Sequence, residues 1–228
     1  MKNPFAKLTK FELGLWIFSL VAVSICFIAM PQKNWLTLIG SLIGVTSLIF
    51  CAKGMIIGPI LTVVFSIFYG IISYFFRYYG EMITYLLMTT PMAIASIISW
   101  LKNPYPQSDR VKVGRVTPSS ITLVVILTAA VTVAFYFILR ALDTTNLIIS
   151  TISVTTSFLA CSFVLLRSPY YALAYALNDV VLIIMWIAAS VVTPSYVPMV
   201  ACFVVFLIND VYGFINWQKM KKEQENIM

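Results

Sequence analysis

Apolar blocks of about 20 residues, separated by short polar segments, follow one another along this chain. An α-helix rises about 1.5 Å per residue, so a block of this length matches a hydrocarbon core roughly 30 Å thick. The blocks are too long for barrel strands, which need about 9–11 residues. We therefore predict an all-α integral membrane protein with about eight transmembrane helices, at 13–30, 35–52, 57–77, 81–101, 119–140, 145–166, 169–190 and 195–217.

The composition excludes a water-soluble domain. Hydrophobic residues make up 61% of the chain and charged residues only 10%, with a mean hydropathy of +0.97. The first apolar block follows Lys2, Lys7 and Lys10 but carries no small-residue cleavage site. We expect this block to be retained as a spanning helix.

Lysine and arginine are distributed unevenly between the two sides of the predicted bundle. One side holds twelve of them, and the other holds only Lys33, Arg77 and Arg140. Because cytoplasmic segments are enriched in these residues, we expect a multi-pass protein of the bacterial cell membrane with both termini in the cytoplasm. Anionic membrane lipids then account for the net charge of +7, and no nucleic-acid partner is required.

A polar linker, 102–118, divides the chain into halves with weak internal similarity. The segment VTSLIFCAKG ends the second predicted helix and TTSFLACSFVLLRS ends the sixth; Trp100 and Trp217 occupy corresponding places. One helix lies between the two three-helix units, so the repeats would be parallel, as in SWEET-type transporters. Chance similarity between apolar segments is the alternative. The predicted division has five parts. Residues 1–34 form a tail with an extra helix, 35–101 the first repeat, 102–144 a linker with a connecting helix, 145–217 the second repeat and 218–228 a cytoplasmic tail.

Two pairs of polar residues lie at membrane depth. Asn178 and Asp179 fall near the middle of the seventh predicted helix, and Asn209 and Asp210 fall in the eighth. Such side chains cost about 2.5–3.5 kcal/mol at mid-helix and need a partner, a cavity or a substrate. We interpret all four as candidate substrate contacts. Hydrogen bonds that only hold the helices together are the alternative.

Aromatic residues extend this candidate site. Tyr171 and Tyr175 precede Asn178 by seven and three positions, which places them on the same helical face. Their rings could stack on a planar group of a substrate. The predicted set of substrate-binding residues also includes Tyr69, Tyr212 and Trp100.

No catalytic or metal-binding pattern occurs in the sequence. It contains no Walker loop, GxSxG or HExxH motif and no histidine. Its cysteines lie inside apolar blocks without CxxC spacing, so we interpret them as packing or lipid-facing residues: Cys26, Cys51, Cys161 and Cys202. We predict a non-enzyme without catalytic residues, bound metal or cofactor.

Several segments of the chain match the pattern of a known family. The first half contains IGSLIGVTSLIFCAKG, FYGIISYFFRYYGEM and PMAIASIISW, and the second contains Asn178 and the closing NDVYGFINWQK. In the order and spacing of these segments, the chain resembles PnuC-type nicotinamide riboside transporters from residue 38 to 219. It implies a SWEET-like core of three, one and three helices, with the first helix as an addition. It also implies facilitated diffusion of a vitamin-like nucleoside, which intracellular phosphorylation then traps.

The chain departs from that family at several positions. In the fourth helix, the family usually has Gln and Gly-Trp, where this chain has Ala93 and then Ser96 and Ile97. In the seventh, it usually has Glu, Trp and Trp, where this chain has Pro169, Tyr171 and Ala174. Pocket contacts set the discrimination between related substrates. Nicotinamide riboside, thiamine, riboflavin and deoxynucleosides are therefore all open as substrates.

Three functions follow from these observations. The first is a uniporter for a nucleoside or vitamin, with Asn178 holding a ribose or amide group. The second is a proton- or sodium-coupled carrier that uses Asp179 or Asp210. The third is a non-transporting membrane scaffold, in which the polar pairs only join helices. A homo-oligomer is left open.

Overall fold

The computed structural model describes residues 3–29, 35–75, 79–106, 108–144, 146–192 and 197–226. Within these ranges, eight helices are long and apolar enough to cross a membrane, which confirms the predicted all-α architecture. In chain order, α1 to α8 are Lys10–Ile28, Trp35–Ala52, Ile57–Phe75, Tyr79–Leu101, Pro118–Ala141, Leu147–Leu165, Tyr171–Val192 and Val197–Glu225.

Parts of two predictions fall outside the described residues. Of the cations counted for the topology, Lys2, Lys33 and Arg77 lie there. So do the outermost residues of four predicted spans, at positions 30, 76–77, 145 and 195–196. The largest difference in the described part is at α8, which continues to Glu225 instead of ending at 217. Buried Met220 and Gln224 hold this last part of the helix against the rest of the protein.

The first helix has a defined start. Thr9 caps α1: its hydroxyl accepts a hydrogen bond from the Glu12 N–H, and the Glu12 carboxylate accepts one from the Thr9 N–H. This reciprocal capping box satisfies two amides that have no partner within the helix. It also fixes the position of the Glu12 side chain, which is buried.

The turns after α2 and α6 have the same backbone design. Each leaves its helix through one residue in the left-handed region, Gly54 with φ +71° and Arg167 with φ +55°. A glycine suits the first position for a second reason, because a Cβ there would lie 2.7 Å from the Met220 side chain. Both turns lie at the end of the bundle where α1 begins and α8 ends, which we call the basic end.

Six helices surround the centre of the bundle. The packed pairs include α2 with α3, α3 with α4, α4 with α6, α6 with α7, α7 with α8, and α8 with α2. The first helix packs outside this ring against α2 and α8, and α5 packs chiefly against α6. Most of the α5 surface is exposed and apolar, as expected for a helix that faces lipid.

One stretch of α4 departs from α-helical geometry. Residues Thr84–Thr89 form a π-helical segment directly before Thr90 and Pro91. Proline has no N–H to donate, and the Tyr85 carbonyl accepts from both the N–H and the hydroxyl of Thr90, the hydroxyl at 2.8 Å. π-Helical segments widen a helix locally and occur often at functional sites. The irregular part of α4 thus lies in the turns that precede Pro91.

Candidate functional site

A cavity lies at the centre of the six-helix ring, and we call it the central cavity. Its volume is about 70 Å³, which exceeds the roughly 10–15 Å³ that one water requires. Its lining is mostly apolar, with a few polar groups from both halves of the chain. The lining residues are Gly44, Ser47, Leu48, Cys51, Pro59, Thr62, Phe65, Tyr85, Thr89, Met92, Ala93, Ser96, Cys161, Val164, Tyr171, Tyr175, Asn178, Asp179, Phe203, Phe206 and Asp210.

Asn178 is the best-oriented polar group of the cavity. Its Oδ1 accepts hydrogen bonds from the Thr156 Oγ1 at 2.8 Å and from the Ser157 Oγ at 3.0 Å, both on α6. These two bonds fix which way the amide points. No hydrogen bond from its Nδ2 to the described residues is present, so two N–H donors are available to a ligand.

Asp179 and Asp210 form a buried acidic pair between α7 and α8. Each residue is only 3% exposed, and both carboxyl groups line the central cavity. Neither carboxyl is in an ion pair with a described lysine or arginine, and the Asp179 Oδ2 has no hydrogen-bond partner there. A buried charge without a counter-ion is costly, so the pair favours a shared proton or a cationic ligand.

Two tyrosines border these polar groups. Tyr171 and Tyr175 lie one turn apart with ring centroids separated by 6.3 Å and planes at 80°, and the Tyr175 hydroxyl is 3.2 Å from the Cys161 Sγ. Together with Asn178 they line one side of the cavity, as their spacing on the helix predicts. Aromatic faces beside amide donors suit a flat heterocycle.

Four predicted substrate contacts lie outside the lining. Asn209 lies on the face of α8 turned toward α1, where its Nδ2 donates to the Ser19 Oγ at 2.9 Å. Consecutive residues of a helix point about 100° apart, so only Asp210 of that pair reaches the cavity. Tyr69 packs behind the lining against Tyr85, with ring centroids 4.2 Å apart.

The other two contact the backbone or side chains near the basic end. Trp100 donates from Nε1 to the Val164 carbonyl at 3.0 Å, and Tyr212 donates from its hydroxyl to Glu12 Oε1 at 2.8 Å. Both side chains are thus used in joining helices. Their aromatic character alone could not distinguish this role from substrate contact.

The structure adds lining residues that the sequence did not single out. Tyr85 and Thr89 both come from the π-helical segment, which turns them toward the cavity. Phe65, Phe203 and Phe206 form an aromatic wall, with ring centroids of Phe65 and Phe206 5.6 Å apart. For Tyr85 and Thr89, the signal available in the sequence was the presence of polar residues directly before Pro91.

Some residues that were interpreted otherwise also line the cavity. Cys51 and Cys161 were expected to be packing or lipid-facing residues, and both border the central cavity. Ala93 and Ser96, two of the positions at which the chain departs from the family pattern, lie in the lining too. Two of these departures therefore border the cavity itself.

Eight described membrane-spanning helices, six of which surround a cavity with a few convergent polar groups, define a membrane transporter of small solutes. A family model described as nicotinamide mononucleotide transporter matches residues 34–219, and the chain belongs to this family.

The similar proteins agree with this assignment. The nicotinamide riboside transporter PnuC of Neisseria mucosa is 24% identical, over 97% of this chain and 86% of its own length. That of Haemophilus influenzae is 20% identical, over 91% of this chain and 90% of its own length. The crystal structure of the vitamin B3 transporter PnuC superposes with a TM-score of 0.82 at 25% identity, covering 95% of this chain and 94% of that one. These relatives are transporters and not enzymes.

Proposed function

We propose that this protein takes up nicotinamide riboside, or a closely related nucleoside or vitamin, through the central cavity by facilitated diffusion. The relatives from Neisseria mucosa and Haemophilus influenzae are named nicotinamide riboside transporters. The observation that carries the proposal is the Asn178 amide, which two hydroxyl groups hold in place with its N–H donors free for a ligand. Phosphorylation inside the cell would trap the solute.

The chemistry of the lining supports a flat, positively charged ring as the bound group. Nicotinamide riboside carries a pyridinium cation, and the acidic pair supplies negative charge that no described cation neutralises. Tyr171 and Tyr175 offer ring faces to the same space, and cations are attracted to such faces. The Asn178 donors would bind a ribose hydroxyl or the carboxamide oxygen. Because the cavity holds only a few waters, its walls would have to separate for entry.

Two parallel three-helix repeats, 35–101 and 145–217, are part of the proposal, and matching hydrogen bonds support them. The Trp100 Nε1 donates to the Val164 carbonyl at 3.0 Å, and the Trp217 Nε1 donates to the Cys51 carbonyl at 2.9 Å. Each tryptophan thus donates a hydrogen bond to a carbonyl near the end of a helix in the other repeat. The paired turns at Gly54 and Arg167 follow at the same distance from the accepting carbonyls.

The orientation in the membrane follows from charge. We propose that the basic end faces the cytoplasm, which places both termini and the linker there. Lys102, Arg110, Lys112 and Arg115 belong to this end, while Arg140 lies at the opposite end. Membrane lipids would cover the apolar outer faces.

Ion coupling is the second candidate function. The acidic pair favours it, because two adjacent buried carboxyls can bind a proton or a cation during each transport cycle. A coupled carrier would lose uptake when the proton or sodium gradient is dissipated. Facilitated diffusion predicts that, at a fixed membrane potential, uptake into vesicles follows the solute gradient and does not depend on the proton or sodium gradient.

Calorimetry on purified protein tests the substrate. We would titrate nicotinamide riboside, thiamine, riboflavin and deoxynucleosides into the wild type, Asn178→Ala and Asn209→Ala. The second variant is a matched control, because Asn209 is also a buried intramembrane asparagine but lies outside the cavity. We expect one compound to bind the wild type and the control, with loss of binding in Asn178→Ala. If Asn178→Ala and Asn209→Ala bind the compound equally well, the result would favour the alternative that the polar residues only join helices.

A further inference from the structure

A second concave site lies at the basic end, apart from the central cavity. It has a volume of about 1140 Å³ and is bordered by the linker, the start of α5, the turn after α6 and the end of α8. Four cationic side chains line it, and Glu225 is the one acidic residue in its lining; the cations are Lys112, Arg115, Arg167 and Lys221. We call this site the basic recess.

The walls of the recess are fixed by hydrogen bonds. Gln224 on α8 accepts from the Val113 N–H at 2.8 Å and donates to the Val111 carbonyl at 3.1 Å. The Gly114 N–H donates to the Arg167 carbonyl at 2.9 Å. A Cβ at Gly114 would lie 2.1 Å from the Leu166 carbonyl oxygen, so only glycine fits this approach. The recess is thus a built feature and not a gap between loose loops.

The positive charge inside it is largely uncompensated. Lys221 and Glu225 are 3.9 Å apart and about half exposed, which makes a weak pair. The Arg167 Nε is buried without a hydrogen-bond partner among the described residues, and its Nη1 reaches only the Ser99 carbonyl at 3.4 Å. Burial also lowers the pKa of Arg167 from its usual value. An arginine in this position lacks the anion that its guanidinium would bind.

Helix α5 adds to the same field. It begins at the recess with Thr117 as its N-cap and Pro118 as its first residue. The positive end of its dipole therefore points toward the four cations. Exposed apolar side chains, Ile121 and Tyr170, border the recess on the side of the bundle.

We propose that the basic recess binds a phosphate-bearing anion, and that its source is the headgroup of an anionic phospholipid. Arg167 would hold the phosphate oxygens in a bidentate manner, and Lys112, Arg115 and Lys221 would surround them. The apolar border favours a lipid over a free phosphate, because an acyl chain can continue along Ile121 and the exposed surface of α5. Basic recesses between helices at the cytoplasmic face are suited to such headgroups.

Two triple variants with equal charge change test the proposal. The recess variant combines Lys112→Gln, Arg115→Gln and Lys221→Gln. The control variant combines Lys102→Gln, Lys219→Gln and Lys222→Gln, three exposed cations of the same end that do not line the recess. Unfolding temperatures of both variants would establish that they are folded.

Native mass spectrometry with added phosphatidylglycerol or phosphatidylcholine measures the binding. We expect phosphatidylglycerol to bind the wild type and the control variant, and to bind the recess variant roughly a hundredfold more weakly, since each cation contributes about one factor of five. A second arm uses glycerol phosphate as competitor. Failure to compete identifies a lipid as the source, whereas recess-dependent binding of glycerol phosphate itself identifies a soluble anion. Equal loss in both triple variants, or equal binding of the two lipids by the wild type, would overturn the proposal.

Discussion

A buried ion pair joins the first helix to the transport core. The Glu12 carboxylate on α1 accepts two hydrogen bonds from the Lys53 Nζ, at 2.7 and 3.0 Å, and one from the Tyr212 hydroxyl at 2.8 Å. The side chains of Glu12 and Lys53 are only 1% and 8% exposed. The network unites α1, the turn after α2 and α8. We predict that Glu12→Gln strongly destabilises the protein.

The magnitude follows from the burial of both charges. Removing one partner leaves the Lys53 ammonium buried without a counter-ion, and such changes cost about 3–5 kcal/mol. For a chain of this length, 1 kcal/mol shifts the unfolding temperature by about 2–4 °C. The expected decrease is therefore about 6–20 °C. Adding Lys53→Met should recover much of the loss, because it removes the unpaired charge and keeps the apolar stem.

Thermal unfolding in detergent, followed by tryptophan fluorescence, measures this shift. Lys221→Gln is the control, because it breaks an exposed pair that is 3.9 Å long and contributes at most about 1 kcal/mol. A decrease in Glu12→Gln no larger than that of the control would refute the reasoning. So would a double variant less stable than Glu12→Gln.

Three further predictions concern the linker, the repeats and the cavity. Gly114→Ala should lower the unfolding temperature by several degrees, because its Cβ would collide with a backbone carbonyl; Gly14→Ala, with nothing within 4 Å on helix α1, is the control and should not lower it. Trp100→Phe and Trp217→Phe should each cost about 0.5–1.5 kcal/mol in thermal unfolding, since each loses one buried hydrogen bond to a carbonyl that keeps its backbone partner; a clear difference between them would argue against equivalent roles. Asp179→Asn should weaken calorimetric binding of a cationic vitamin about tenfold or more but spare an uncharged nucleoside, and equal weakening of both would exclude a charge effect.

The number and the type of helices were predictable because apolar length is a strong signal. A run of about 20 apolar residues has few alternatives to a spanning helix. The predicted end of α8 was wrong because tertiary contacts hold the polar tail in the helix. Gln224 bonds the linker and Met220 packs at the turn after α2, both far away in sequence. Such tertiary contacts leave no mark in local hydropathy.

The candidate site was predicted in part. Asn178 and Asp179 could be found because polar residues inside an apolar block stand out, and helical spacing then brought in Tyr171 and Tyr175. Asn209 stands out equally in the sequence but faces Ser19, and its rotation about the helix axis could not be read from its neighbours. The π-helical segment changes the register of α4 and so conceals which of its residues face inward.

Bonds between the two halves are concentrated at one end of the bundle. The linker backbone donates from Val111 to the Gly54 carbonyl and from Gly114 to the Arg167 carbonyl, while the two tryptophans each bond the opposite half. Because these bonds restrain the two halves at one end, a rotation of one half against the other displaces the opposite end farthest. We therefore expect the two halves to separate mainly at the end remote from the linker, with the axis of rotation near the basic end.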